Sequence, residues 1–209
     1  SGGNGGTNYL DGGLGVNSVD YSAINTNGTG VTLNLNNTSL QEVFTNNSGI
    51  TVRETLINIQ NVIGSSYKDI ITGNSQSNSL FGGLGDDTLV GSAGDDTLDG
   101  GDGIDVASYA NATDDLNIDL GSTSVYINAT YGTDTFISIE GAIGGSGNDT
   151  IKGTSGSNVL IGGDGNDTLL PNGNNGMIDE LDYIDGGTGT DFVSFNFGGN
   201  SAVTLDLAN

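Results

Sequence analysis

The groups able to do chemistry in this chain are carboxylates set among glycines. There are 26 acids against three bases, with no His and no Cys. From Gly64 to Ser108 the sequence divides without a gap into five nines: GSSYKDIIT, GNSQSNSLF, GGLGDDTLV, GSAGDDTLD and GGDGIDVAS. Gly144–Leu170 adds GGSGNDTIK, GTSGSNVLI and GGDGNDTLL, and Gly186–Ser194 adds GGTGTDFVS. GGLGVNSVD stands at Gly12–Asp20, with a looser copy at Gly3–Asp11. Met177–Asp185 keeps only the second half of the pattern, after an insertion at Pro171–Gly176. Position six is Asp69, Asp87, Asp96, Asp105, Asp149, Asp167, Asp182 or Asp191, and Asn at 8, 17, 78 and 158.

Oxygen is the only donor such turns offer in quantity. A hard cation such as calcium takes six to eight oxygens at ~2.3–2.6 Å. Turns free of large side chains let main-chain carbonyls face an ion, and glycine reaches the dihedrals this needs. Two nines make one coil, so turns eighteen residues apart stack at the ~4.7–4.9 Å strand spacing. An ion between stacked turns would take carbonyls from one and a carboxylate from each. The expected ligands are Asp69, Asp87, Asp96, Asp105, Asp149, Asp167 and Asp191. The turn glycines Gly83, Gly85, Gly101, Gly103, Gly145, Gly147, Gly163, Gly165, Gly187 and Gly189 supply the carbonyls. Turn 64–69 should stack on 82–87, 82–87 on 100–105, and 144–149 on 162–167, the best pair. If the insertion only bulges one turn, 162–167 also stacks on 186–191. On the opposite edge 73–78 lies under 91–96, and Asp114 falls in frame after Asp96. The GTSGSN turn should hold no ion, and Asp86, Asp95, Asp102 and Asp164 read as solvent-facing turn residues.

Each nine must place its turn with a very short strand. Position eight is Ile71, Leu80, Leu89, Leu98, Ala107, Ile151, Leu160, Leu169, Ile184 or Val193. Six polar residues therefore alternate with a three-residue strand that buries its middle side chain. A longer repeat overlies this one, because the glycine pairs at 12, 100 and 186 are 88 and 86 residues apart. Residues 10–37, 98–122 and 184–209 resemble each other, and 55–73 resembles 135–153. Val31–Leu35, Leu116–Leu120 and Val203–Leu207 alternate with period two, the mark of half-buried strands. Ile57, Ile59, Val62, Ile63, Ile137, Ile139 and Ile143 look like core, and a weak helical case exists only around Ser39–Thr45. Tyr21, Tyr109 and Phe195 open the longer-strand halves, where ring packing is favoured over a sugar-binding platform.

The expected organisation is the end of one repeat block at 1–20 and spacer coils at 21–63. A repeat block at 64–108, a second spacer at 109–143 and a repeat block at 144–194 follow, with a third spacer starting at 195–209. The expected fold is all-β, a right-handed parallel β-roll or β-solenoid with longer-strand spacer coils.

Composition excludes much else. Without His or Cys there is no catalytic triad, no thiol chemistry and no disulfide framework. A net charge of −23 repels nucleic acid. No apolar run approaches the ~18 residues of a membrane span. Paired Asp could serve a glycosidase, but every clustered Asp already has a place in the repeat. High glycine and large net charge describe a disordered chain unless something neutralises the acids.

The nonapeptide resembles the RTX repeat G-G-x-G-x-D-x-U-x, which forms calcium-binding parallel β-rolls. The match is tight at GGLGDD, GSAGDD, GGDGID, GGSGND, GGDGND and GGTGTD, and degenerate at GSSYKD, GNSQSN and GTSGSN. The resemblance implies calcium as cofactor, several ions between turns, export by type I secretion, an extracellular or cell-surface location, and folding on calcium. It implies no enzyme activity here. The spacers favour a structural or adhesive piece of a long surface protein, such as an adhesin, fibre or S-layer-like component. The alternative is the folding and secretion module of an exported protease, lipase or epimerase. Both ends fall inside repeat units, which leads us to expect further units or copies stacked end to end.

Overall fold

Why strands form is visible in burial. The eighth-position residues Ile71, Leu80, Leu89, Leu98, Ala107, Ile151, Leu160 and Leu169 are all 0% exposed. Their neighbours point outward, so each strand contributes one inward side chain, worth roughly 1.5–3 kcal/mol for the larger ones. The computed structural model describes residues 6–24, 28–171 and 182–194. Most of the insertion, the Met177–Leu181 part of the degenerate nine, and the third spacer at 195–209 lie outside the described residues.

The described residues form strands and no helix, so none could cross a membrane as an apolar helix. The first seven strands are β1 (Thr7–Asp11), β2 (Ser18–Asp20), β3 (Thr32–Asn34), β4 (Gln41–Thr45), β5 (Thr51–Ile57), β6 (Asn61–Ile63) and β7 (Ile70–Thr72). Next come β8 (Ser79–Leu84), β9 (Thr88–Val90), β10 (Thr97–Asp102), β11 (Val106–Ser108), β12 (Asn117–Asp119), β13 (Val125–Asn128) and β14 (Gly132–Ile137). The last six are β15 (Gly141–Ile143), β16 (Thr150–Lys152), β17 (Val159–Asp164), β18 (Thr168–Leu170), β19 (Tyr183–Thr188) and β20 (Phe192–Val193). The Ser39–Thr45 segment is therefore not helical. It is largely β4, with Val43 buried, Phe44 packed against the core, and an irregular antiparallel pairing with β5.

Four sheets result, ordered β1-β5-β4, β13-β14-β10-β8-β6-β2, β19-β17-β15-β11-β9-β7-β3 and β12-β16-β18-β20. Among the described residues every pairing is parallel except β4 with β5 and β13 with β14. Within the nonapeptide stretches the register is one coil of eighteen residues, as in Ser79↔Thr97 and Ile70↔Thr88. This is a parallel β-roll. Across a spacer the partner lies further along, as in Thr97↔Thr135 and Val106↔Gly141.

Each of the two described spacers ends one sheet, founds another, and leaves a third unbroken. In the first, the β4–β5 hairpin closes the first sheet and β3 founds the third, while the second runs on from β2 to β6. In the second, the β13–β14 hairpin closes the second sheet and β12 founds the fourth, while the third runs on from β11 to β15. Consecutive rolls thus share a wall.

Spacer side chains fill the widened coils. Val31, Leu33, Leu35, Leu116, Ile118 and Leu120 are buried. Of the expected isoleucine core, Ile59, Val62 and Ile139 are buried, but Ile57, Ile63 and Ile143 are half-buried and Ile137 is 44% exposed. Strand alternation puts those four on the outer face. Tyr21 packs edge-on against Phe44 and Tyr109 against Tyr131, with centroids 6.4 and 5.5 Å apart.

Candidate metal centre

The sixth-position side chain folds back beneath its own turn. Asp69, Asp87, Asp96, Asp105, Asp149 and Asp167 are at most 1% exposed. One carboxylate oxygen, Oδ1, accepts the main-chain N–H of the sixth position in the preceding turn. Asp87 accepts from Asp69, Asp105 from Asp87 and Asp167 from Asp149, each at 2.7 Å, and Asp191 from Asp167 at 3.0 Å. On the opposite edge Asp96 accepts from Asn78 at 2.7 Å. A second ladder runs the other way on the surface. The fifth-position side chain accepts the N–H of the next rung, as Asp86 does from Ile104 and Asn148 from Asn166.

The second oxygen divides the turns into two classes. In turns 64–69 and 144–149 it accepts the N–H of position two: Ser65 to Asp69 at 2.5 Å, Gly145 to Asp149 at 2.6 Å. Asn74 to Asn78 and Thr154 to Asn158 repeat this at 2.7 and 2.8 Å. These four closed turns are the first nonapeptides after a spacer. In the turns stacked above them position two has positive φ: Gly83 118°, Ser92 78°, Gly101 96°, Gly163 110° and Gly187 85°. Asp87, Asp96, Asp105 and Asp167 then keep a buried Oδ2 with no hydrogen-bond partner.

A trans peptide that turns its N–H away turns its carbonyl the opposite way. The carbonyls of Gly82, Gly100, Gly162 and Gly186 accordingly lie against the first glycine of the turn below, beside that turn's Asp Oδ2. A Cβ at Gly64, Gly82, Gly144 or Gly162 would strike both oxygens. At Gly82 and Gly162 the carboxylate and carbonyl oxygens therefore converge with no donor between them, whereas at Gly64 and Gly144 the carboxylate oxygen already accepts the Ser65 or Gly145 N–H.

Such convergence is costly unless a proton or a cation intervenes. Burial, reinforced by neighbouring carboxylates, pushes Asp87 and Asp96 up to about 7 and Asp105 up to about 6. Asp69, Asp149 and Asp167 are raised as well, chiefly by burial. No group of three or more Asp or Glu among the described residues could hold a metal ion, so main-chain carbonyls must complete any coordination. Hard oxygens with the N–H groups turned away fit calcium.

The Asn turns solve the same problem with an amide. Asn158 Nδ2 donates to the carbonyls of Gly156 at 2.5 Å and Pro171 at 3.2 Å, and Asn78 Nδ2 to Gln60 at 2.8 Å.

A family profile, the RTX calcium-binding nonapeptide repeat in four copies, matches residues 61–89, 72–107 and 143–178. Residues 61–107 and 143–178 are similar to RTX nonapeptide repeats. These RTX segments are calcium-binding repeats. No curated protein matches the chain significantly.

The RTX turns expected to stack do so, including 162–167 on 186–191, where Gly163 pairs with Gly187. Two features differ from expectation. The pair 144–149 over 162–167 is half closed, because Gly145 and Gly147 lack positive φ and Asp149 is satisfied within its own turn. Asp167, facing 186–191, carries the open oxygen instead. Asp114 does not follow Asp96, because the β13–β14 hairpin intervenes. Asp134, at the start of β14, accepts the Asp96 N–H at 3.0 Å, and the Asp114 carbonyl lies against Gly147. The extra acids Asp86, Asp95, Asp102 and Asp164 are exposed.

Sequence reasoning missed the spacer groups that close the columns. Asp134 is 0% exposed and its Oδ2 accepts the Tyr109 hydroxyl at 2.5 Å. Glu54 does the same for Tyr21 at 2.5 Å, and also accepts from Asn8. Both tyrosines head corresponding halves of the long repeat, so the recurring Tyr was the available signal.

Proposed function

We propose that this chain is a calcium-folded structural segment of a long extracellular surface protein. One observation carries the reading: Asp87, Asp96, Asp105 and Asp167 each bury a carboxylate oxygen that no donor satisfies. Asp87 with the Gly100 carbonyl supplies the open ligand groups of the first block, Asp167 with Asp191 and the Gly186 carbonyl those of the second, and Asp96 serves the opposite edge. Asp69 and Asp149, beneath the Gly82 and Gly162 carbonyls, join as ligands when calcium displaces the Ser65 and Gly145 N–H groups. The remaining turn glycines (Gly83, Gly85, Gly101, Gly103, Gly163, Gly165, Gly187 and Gly189) hold the turns open. Bound calcium supplies positive charge between oxygens that otherwise repel. The closed turns start the columns of each block, and the spacer carboxylate of Asp134 ends the one that runs through Asp96.

Occurrence of RTX repeats in secreted proteins supports the extracellular setting. The shared walls support the structural role, since a spacer passes one sheet onward and founds the next, so units of 86–88 residues add without a new core. At ten times Kd each site contributes about 1.4 kcal/mol, and stacked sites add. Calorimetric titration with calcium and with magnesium tests the reading. Saturable calcium binding at ~10⁻⁴–10⁻³ M is expected, with magnesium far weaker because it resists losing its waters. No calcium heat, or equal heats for both ions, contradicts it.

A further inference from the structure

Above RTX turn 100–105 the next level of the stack is not a nonapeptide. It is the three-residue bend Ser138–Glu140 between β14 and β15, inside the spacer. The first spacer has the same bend, Asn58–Gln60, between β5 and β6 above turn 12–17. The two share their backbone. Ser138 and Asn58 take φ of 48° and 55°. The N–H groups of Glu140 and Gly141 bond the Asp105 carbonyl, as those of Gln60 and Asn61 bond the Asn17 carbonyl. The side chains also correspond. Glu140 Oε2 accepts the Asp105 N–H at 3.0 Å, and Gln60 Oε1 accepts the Asn17 N–H at 2.9 Å.

They differ at one contact. In the first spacer Asn17 Nδ2 donates to the Asn58 carbonyl at 2.9 Å, so donor meets acceptor. In the second, the corresponding atoms are Asp105 Oδ2 and the Ser138 carbonyl, and acceptor meets acceptor. Both lie against Gly100, where a Cβ would strike each of them. Asp105 is 0% exposed, and its Oδ2 has no partner. Glu140 brings a second negative charge to the same place. The neutral pair Asn17 and Gln60 is thus a built-in control, with the same bend, the same main-chain bonds and an amide filling the gap.

We propose that Asp105, the Ser138 carbonyl and Glu140 form a further calcium site, made half from a repeat turn and half from a spacer bend with no G-G-x-G-x-D sequence. Glu replaces Asp here because the bend is three residues shorter than an RTX turn, and the longer side chain reaches back to the Asp105 N–H. The spacer then extends the ion column by one level and ties it to β15, the strand on which the next roll begins. The second spacer is welded to its block by calcium, and the first by hydrogen bonds alone.

This inference rests on calcium binding by the regular turns, and the test separates the two. Calcium bound per chain is counted by native mass spectrometry of the full chain, at a concentration that just saturates the unmodified protein. Glu140→Gln keeps an acceptor for the Asp105 N–H and is expected to hold one ion fewer. The reverse double variant, Asn17→Asp with Gln60→Glu, is expected to hold one ion more. If Glu140→Gln fails to fold, the gain by the double variant decides. An unchanged count in both variants overturns the site and means that a protonated Asp105 satisfies Ser138. No calcium on the unmodified chain overturns the reading of the regular turns instead.

Discussion

A buried carboxylate in this protein has two ways to be satisfied, and pH chooses between them. The folded-state pKa values of Asp87 and Asp96, about 7, lie above the ~3.9 of an unfolded Asp. Without calcium, these groups favour the folded state while protonated. That contribution is full below about pH 4 and is lost as pH rises through about 7. Calcium needs the same oxygens deprotonated. Two opposite trends follow. Chelated protein should gain strand signal on going from pH 8 to pH 5, while the apparent calcium affinity should fall over the same interval. Titrations at the two pH values check both, and an affinity that rises on acidification contradicts the assignment. The sixth-position acids were legible from spacing alone. Which of them keep an open oxygen was not, because that depends on the peptide at position two. Gly83 and Gly145 occupy the same motif position, yet only Gly83 takes positive φ.

The turn is the element that makes the site, and its glycines act through shape. Gly163 has φ 110°, and a Cβ there would collide with the Gly145 carbonyl. Gly163→Ala should cost at least about 1–2 kcal/mol, moving the calcium midpoint of folding to higher concentration. Gly156, in the Asn158 turn, has negative φ and meets only Thr154 Oγ1 at 3.7 Å. Gly156→Ala should leave the midpoint nearly unchanged, and similar shifts for both variants contradict the account. The nonapeptide period gave the short strands directly, since one apolar residue in nine admits one inward position. The spacers were harder to read. Alternation marked their strands, but β4 and β13 are antiparallel partners, and nothing in an alternating pattern states the direction of a neighbour.

At the scale of the molecule, each sheet of a roll gives the core one file of inward side chains. Leu160 is 0% exposed between Ala142 and Ile184 of the neighbouring strands. Leu160→Ala should cost about 2–5 kcal/mol in saturating calcium, measured by thermal or denaturant unfolding. Ile70, 43% exposed on the outer face, should tolerate Ala with little change. Equal losses would mean that the file is not the core. The sharing of walls between rolls was out of reach of the sequence, because it depends on partners 35 or 38 residues apart, as in Val106↔Gly141 and Thr97↔Thr135. The 86–88-residue period showed that units recur, and the sheet order shows how one hands on to the next.

So thin a core, with a charge of −23, leaves folding dependent on the ions. Far-UV circular dichroism of the whole chain at pH 7.5, in excess chelator and then with calcium restored, measures this most directly. The account predicts a disordered spectrum in chelator and a reversible strand spectrum in millimolar calcium. A strand spectrum unchanged by chelator contradicts it.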